Sequence, residues 1–157
     1  MINLDQASYK AAKHALESTP GLKRNECEKL SGKYLQTLGR NGVCALFLLL
    51  RADGPRPVGK SGQPPDTGGA EHLAESIAAQ SFALLQSAGF LTGVVLPELD
   101  QSAAASEMRT ALVDRSRERI AAVEKLGEDL ENLLLAKSLL ESMLTYLRYL
   151  GKTLPKD

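Results

Sequence analysis

The stretch Lys33–Leu50, KYLQTLGRNGVCALFLLL, decides the fold of this chain. An apolar pattern of helical period runs into Gly39-Arg40-Asn41-Gly42, and a nearly all-apolar segment from Val43 to Leu50 follows. Cys27, Leu30, Tyr34 and Leu38 recur at steps of three and four, the spacing of one helix face. Gly39 is expected to take the positive φ that ends this helix. Asn41 is expected to cap the next one through its side-chain carbonyl. In the second segment Val43, Leu46, Phe47 and Leu50 form one stripe, and Cys44, Ala45, Leu48 and Leu49 fill the other sides. A helix apolar all round belongs in a core or in lipid. Eight helical residues rise only about 12 Å, too short for a bilayer, so the segment reads as the buried pivot of a helical domain. The competing reading is a β-hairpin, because Asn-Gly is a favoured two-residue turn. The Leu-rich rather than β-branched flanks argue against it.

Composition sets further bounds. A chain of 157 residues is most simply one domain with a genuine core. Its 19 basic and 19 acidic side chains cancel, so a polyanion would have to be held by a local patch rather than by net charge. Cys27 and Cys44 cannot make a disulfide scaffold and fit as small core residues in a reducing compartment. The start, MINLDQASYK, lacks a basic-then-apolar signal region, and there is no apolar run of membrane-spanning length. A cytoplasmic protein without membrane contact is expected. With three phenylalanines, four tyrosines and no tryptophan, a sheet that stacks bases on exposed aromatics is not expected.

The pattern predicts an all-α bundle of five or six helices. The first covers Leu4–Glu17, capped by Asn3, with Gln6 at the capping-box position and Pro20-Gly21 beyond its end. Lys23–Leu38 and Asn41 to about Arg51 follow. From Ala52 to Gly69, nine of eighteen residues are Gly or Pro, a density that excludes helix and strand, and a mobile loop is expected there. A fourth helix is predicted over Ala70–Ala88, with Leu73, Ile77, Leu84 and Ala88 on one side. Val94-Val95-Leu96 has strand-forming residues but no obvious partner. From Ser106 to Leu150 the helical period persists, and Val123, Leu126, Leu130, Leu133 and Leu134 carry a stripe across Gly127. A boundary is expected near Gly127; the alternative is one helix that tolerates the glycine at about 1 kcal/mol relative to Ala. The last helix faces Leu133, Ala136, Leu140, Met143, Leu147 and Leu150 one way.

One formal motif needs weighing. Gly54-Pro55-Arg56-Pro57-Val58-Gly59-Lys60-Ser61 fits G-x-x-x-x-G-K-[ST], the Walker A pattern of a P-loop NTPase. Such a loop cradles phosphate with successive backbone N–H groups and an opening helix. Pro55 and Pro57 remove two of those donors, and the Gly and Pro residues downstream exclude a helix at Ser61. The strand–loop–helix context is missing. His14 and His72 lie in different predicted helices, on polar faces. Two isolated cysteines without a C-x-x-C give no metal cage. No enzyme, metal or cofactor is expected. Basic residues do cluster: Arg115 and Arg119 are one turn apart with Arg109 and Arg117 nearby, Lys10 and Lys13 share a face, and Lys33 and Arg40 flank a helix end. Such clusters grip phosphates without reading sequence. Asp114 and Glu118 interleave the arginines, and mixed charge is the ordinary state of a solvated helix, the reading that the residues alone favour.

Three segments together resemble a known family. They are Leu4-Asp5-Gln6 followed by Ala7, Ala11 and Ala12; Leu38-Gly39-Arg40-Asn41-Gly42-Val43 leading into Ala45-Leu46-Phe47-Leu48; and Ala136-Lys137-Ser138-Leu139-Leu140-Glu141 leading to Leu144-Thr145-Tyr146-Leu147-Arg148-Tyr149-Leu150. In order and spacing they are similar to the small subunit of the Cmr complex, the type III-B CRISPR effector of antiviral defence. The basic residue before Asn-Gly and an apolar helix is the most specific element. Tyr146 stands where the family often has tryptophan, and the Gly/Pro-rich stretch lies outside the resemblance. The resemblance implies an all-helical, non-catalytic subunit. Its copies would stack beside the subunits that hold the guide RNA, form the inner filament and line the target-RNA channel. On that reading Lys10, Lys13, Arg40, Arg115 and Arg119 are the expected RNA contacts, made to phosphates. A small NTPase using Gly59, Lys60 and Ser61, or a helical adaptor unrelated to nucleic acid, are the alternatives.

Overall fold

A computed structural model describes residues 3–55, 69–100, 102 and 104–156. Five helices follow in order: α1 (Leu4–Glu17), α2 (Arg24–Asp53), α3 (Gly69–Ser87), α4 (Ala105–Leu126) and α5 (Leu130–Gly151). No strand occurs among the described residues, and 94–96 is irregular. The expected loop bounds of 52–69 do not hold at either end, since Ala52 and Asp53 finish α2 and Gly69 starts α3; the rest of that expectation falls on 56–68, which lie outside the described residues.

Local chemistry explains the ends. The Asn3 side chain accepts the Gln6 backbone N–H at 3.2 Å, and Asp129 does the same for Asn132 at the start of α5, each supplying an acceptor for one of the orphan donors of a helix start. The chain breaks after Leu126, where Gly127 closes α4. The apolar stripe does not cross that break. Val123 and Leu126 are buried, but Leu130 and Leu134 are 68% and 56% exposed. The turn at 127–129 resets the helical phase, and α5 buries Ala136, Leu140, Met143 and Leu147 instead.

All five helices contribute to one apolar core, with α5 packed on α1 and α2. The buried face of α1 carries only Ser8, Ala11, Ala12 and Ala15, side chains small enough to let it lie close to α3 and α5. The Ser8 hydroxyl returns a 2.8 Å hydrogen bond to the Leu4 carbonyl, so its burial leaves no donor unpaired. Contact between α5 and α2 is tighter still. A Cβ on Gly151 would lie 2.6 Å from the Cys27 sulfur, so only glycine fits.

The pivot is buried through Val43, Leu46, Phe47 and Leu50. It is not apolar-packed all round, because Leu48 faces outward. The reversal in α2 sits at Gly42 (φ 88°, ψ −174°) and not at Gly39, which remains helical. Placing the break directly before Val43 lets the apolar run begin with its first residue in the core. The halves 24–41 and 43–53 fold back far enough for the buried Tyr34 hydroxyl to donate to Asp53 at 3.0 Å, joined by Lys33 at 2.7 Å. Burial, then the neighbouring Asp53 carboxylate, push the Tyr34 phenol well above its ordinary pKa, so it stays a donor. The conformation at Gly42 is essentially closed to other residues, and Gly42→Ala should cost about 1–3 kcal/mol in denaturant melts. Gly39→Ala meets nothing within 4 Å and should be neutral or stabilise by up to about 1 kcal/mol. The opposite ranking would mean that the chain turns at Gly39.

Candidate nucleic-acid interface

The five basic residues selected from sequence lie in three places, on α1, at the corner of α2 and on α4. Lys10 and Lys13 are exposed on α1, Lys13 within 3.8 Å of Glu17. Arg40 is exposed at the corner of α2. Its guanidinium lies 3.2 Å from the side-chain amide of Gln36, whose oxygen faces it once the amide is turned. The neighbouring Gly39 carbonyl accepts from Lys137 of α5 at 3.1 Å.

Arg119 is a correction. It is 1% exposed and its two terminal nitrogens grip both oxygens of Glu75 on α3, at 2.7 and 3.1 Å. A guanidinium so enclosed has no face for an RNA strand. Arg115, one turn earlier, is half-buried with its Nε hidden from solvent. Burial, then the charge of Arg119, lower its pKa. The period of α4 carried the signal. Leu112, Ser116, Arg119, Val123 and Leu126 recur at steps of four and three, so Arg119 occupies a core position.

The structure gathers a group that the sequence did not suggest. Tyr9, Tyr146 and Tyr149 share the α1/α5 surface, leaving Tyr34 as the only tyrosine in the core. The Tyr9 and Tyr146 rings meet edge to face with centroids 5.7 Å apart, a favoured aromatic geometry. Asp5 accepts from the Tyr146 hydroxyl, and that hydrogen bond, before any other cause, raises the phenol's pKa. Tyr149 is 60% exposed, and the Lys152 ammonium lies 5.1 Å from its ring centroid. Tyr9 and Tyr146 are too distant in sequence for any periodicity to pair them. An open groove of about 440 Å³ runs along this face, lined by Asp5, Ser138, Glu141, Ser142, Thr145, Tyr146 and Tyr149.

No family model, curated protein or solved structure matches this chain. Its function therefore has to be read from the residues and their placement. At the start of the Walker-like pattern, the Gly54 N–H donates to the Leu50 carbonyl at 2.9 Å and Pro55 has none, so neither position offers phosphate an amide. The remaining pattern positions, including Gly59, Lys60 and Ser61, lie outside the described residues. Among the described residues no cluster of His, Cys, Asp and Glu could hold a metal, and no helix is long and apolar enough to cross a membrane. His14 and His72 are exposed on separate helices.

Proposed function

We propose that this chain is the non-catalytic small subunit of a type III-B CRISPR effector complex, bordering the target-RNA channel beside guide-bearing subunits and further copies of itself. One observation carries the reading. Of the three segments that bear the resemblance, far apart in sequence, the last touches both of the others: Asp5 accepts from Tyr146, and the Gly39 carbonyl accepts from Lys137. Neither pair lies in the core, where packing alone would account for it. Both contacts tie α5 to the other two segments, and Lys10, Lys13 and Arg40 remain exposed on α1 and at the α2 corner.

The exposed chemistry of these segments suits a single strand held by its phosphates. Exposed Lys and Arg supply sequence-independent grip, and the exposed Tyr149 ring, with Lys152 over it, adds an aromatic and a further positive charge. Leu130, Leu134 and Leu135 expose apolar area at the start of α5, which favours protein partners as well. Arg115 and Arg119 are left out of the RNA contacts.

Co-purification with guide-bearing subunits tests the proposal most directly. Stable expression with no association in their presence would refute it. Within the assembled complex, Lys10→Ala and Arg40→Ala should each lower the salt slope of RNA binding by about one unit and leave sequence preference unchanged. Unaltered affinity and slope in both variants would place the strand on another face.

A further inference from the structure

The outward face of α5 matches its own reverse. Leu130, Leu134, Ser138, Ser142, Thr145 and Tyr149 follow one another at steps of four and three, a single strip along one side of the helix. Leu130, Leu134 and Tyr149 are more than half exposed, and exposed Leu135 broadens the strip at its start. Surface leucines scattered singly need no explanation, but three within two turns form an apolar patch. The middle of the strip is small, and its hydroxyls are already paired. Ser142 donates to the Ser138 carbonyl at 3.3 Å and Thr145 to the Glu141 carbonyl at 2.7 Å. A second helix can approach there without stranding a donor. Every residue lining the groove beside the strip belongs to α1 or α5.

Charge changes sign along the strip. Glu128, Asp129 and Glu131 are exposed at the leucine end, Arg148 and Lys152 at the Tyr149 end. None of these five is held in an ion pair among the described residues. That polarity suits the helix dipole, and it also makes the strip complementary to itself when turned end for end. Laid antiparallel on a copy, with a two-fold axis between Glu141 and Ser142, Glu131 lies opposite Lys152, Leu134 opposite Tyr149, Leu135 opposite Arg148 and Ser138 opposite Thr145. Opposite charges meet at both ends, with apolar side chains between them. A shallow crossing of about 20° keeps both ends in reach along the roughly 33 Å of the helix. An RNA strand finds no such match, because Asp5 and Glu141 line the groove and no Lys or Arg does.

We propose that the outward face of α5 is a self-association surface, covered by a second copy of this chain in an antiparallel, two-fold arrangement. The same patch serves both copies, so the contact closes at two. A seam between single helix faces covers less than the about 1,200 Å² at which standard interfaces begin, and a dissociation constant on the order of 100 μM is expected. Glu141 falls beside its own copy at the axis, and that like charge weakens the pair. The seam uses none of Lys10, Lys13 and Arg40. Its test needs neither RNA nor another subunit, so this surface and the RNA reading can each fail alone.

The test is sedimentation of the full chain from about 10 μM to about 1 mM, a range that brackets the expected constant. It compares wild type with Glu131→Lys, Lys152→Glu and the two combined. Both side chains are exposed, so the variants keep the fold. Wild type should pass from monomer to dimer and no further. Each single reversal sets like charges against each other at both ends of the seam and should weaken the dimer about tenfold. The double reversal restores the facing pairs, and so does an equal mixture of the two single variants; both should associate about as well as wild type. Glu141→Gln should tighten the dimer. A monomer throughout the range would overturn the proposal. So would association that charge reversal leaves unchanged, a mixture of the single variants that stays monomeric, or loosening in Glu141→Gln. Growth beyond two copies would overturn it as well, since it marks head-to-tail stacking through another surface.

Discussion

Arg119→Ala should lower the unfolding free energy by about 3–5 kcal/mol, because it strands the Glu75 carboxylate at a largely buried position without its counter-charge. The Glu75 side chain is 18% exposed, so water reaches too little of it to replace the guanidinium fully. Urea denaturation of the variant measures the loss. Replacing both partners, as in Arg119→Met with Glu75→Leu, should recover most of it, since two apolar side chains of similar volume remove the buried charges together. A single substitution that costs less than about 1 kcal/mol would place the pair in solvent, where exposed ion pairs contribute little.

The second large effect is expected at Phe47. Its ring is buried on the inward stripe of α2, and Phe47→Ala should cost about 3–5 kcal/mol through lost burial and the cavity left behind. A cost under about 1 kcal/mol in denaturant melts would mean that this face of the pivot is open and available as a subunit contact. Phe47 and Arg119 line one small cavity of about 10 Å³ between α2, α3 and α4. Their combined variant should therefore depart from additivity, as neighbours with shared partners do. The departure itself measures how strongly α4 is coupled to the pivot.

What could be read before the structure was known follows the range of the forces involved. The limits of α1, its Asn3 cap and the break at Gly127 are local, set by residues within one or two turns, and all are present. The inward faces of α2 and α5 were legible from their period as well. Gly39 and Gly42 bracket the same corner, and local chemistry permits either to reverse the chain. The choice falls to Gly42 through the tertiary lock of Tyr34 and Lys33 on Asp53. Leu130 was misplaced because a period cannot register a change of phase at a turn. The α4 period places Arg119 on the inward stripe, but the Glu75 carboxylate that lets a guanidinium stay there lies on another helix. The tyrosine face was invisible for the same reason, since Tyr9 and Tyr146 come from opposite ends of the chain.

The close seat of Gly151 on Cys27 has a chemical consequence. Burial, reinforced by Glu28 and Glu26, pushes the Cys27 thiol up to about 11. At neutral pH it is protonated as well as enclosed, and only the thiolate attacks an alkylating reagent. Cys44 is half-buried, so reagents reach it first. Modification of Cys27 has to wait until α5 lifts from α2, and its slow rate becomes a clock for the opening of this seam in an otherwise closed protein.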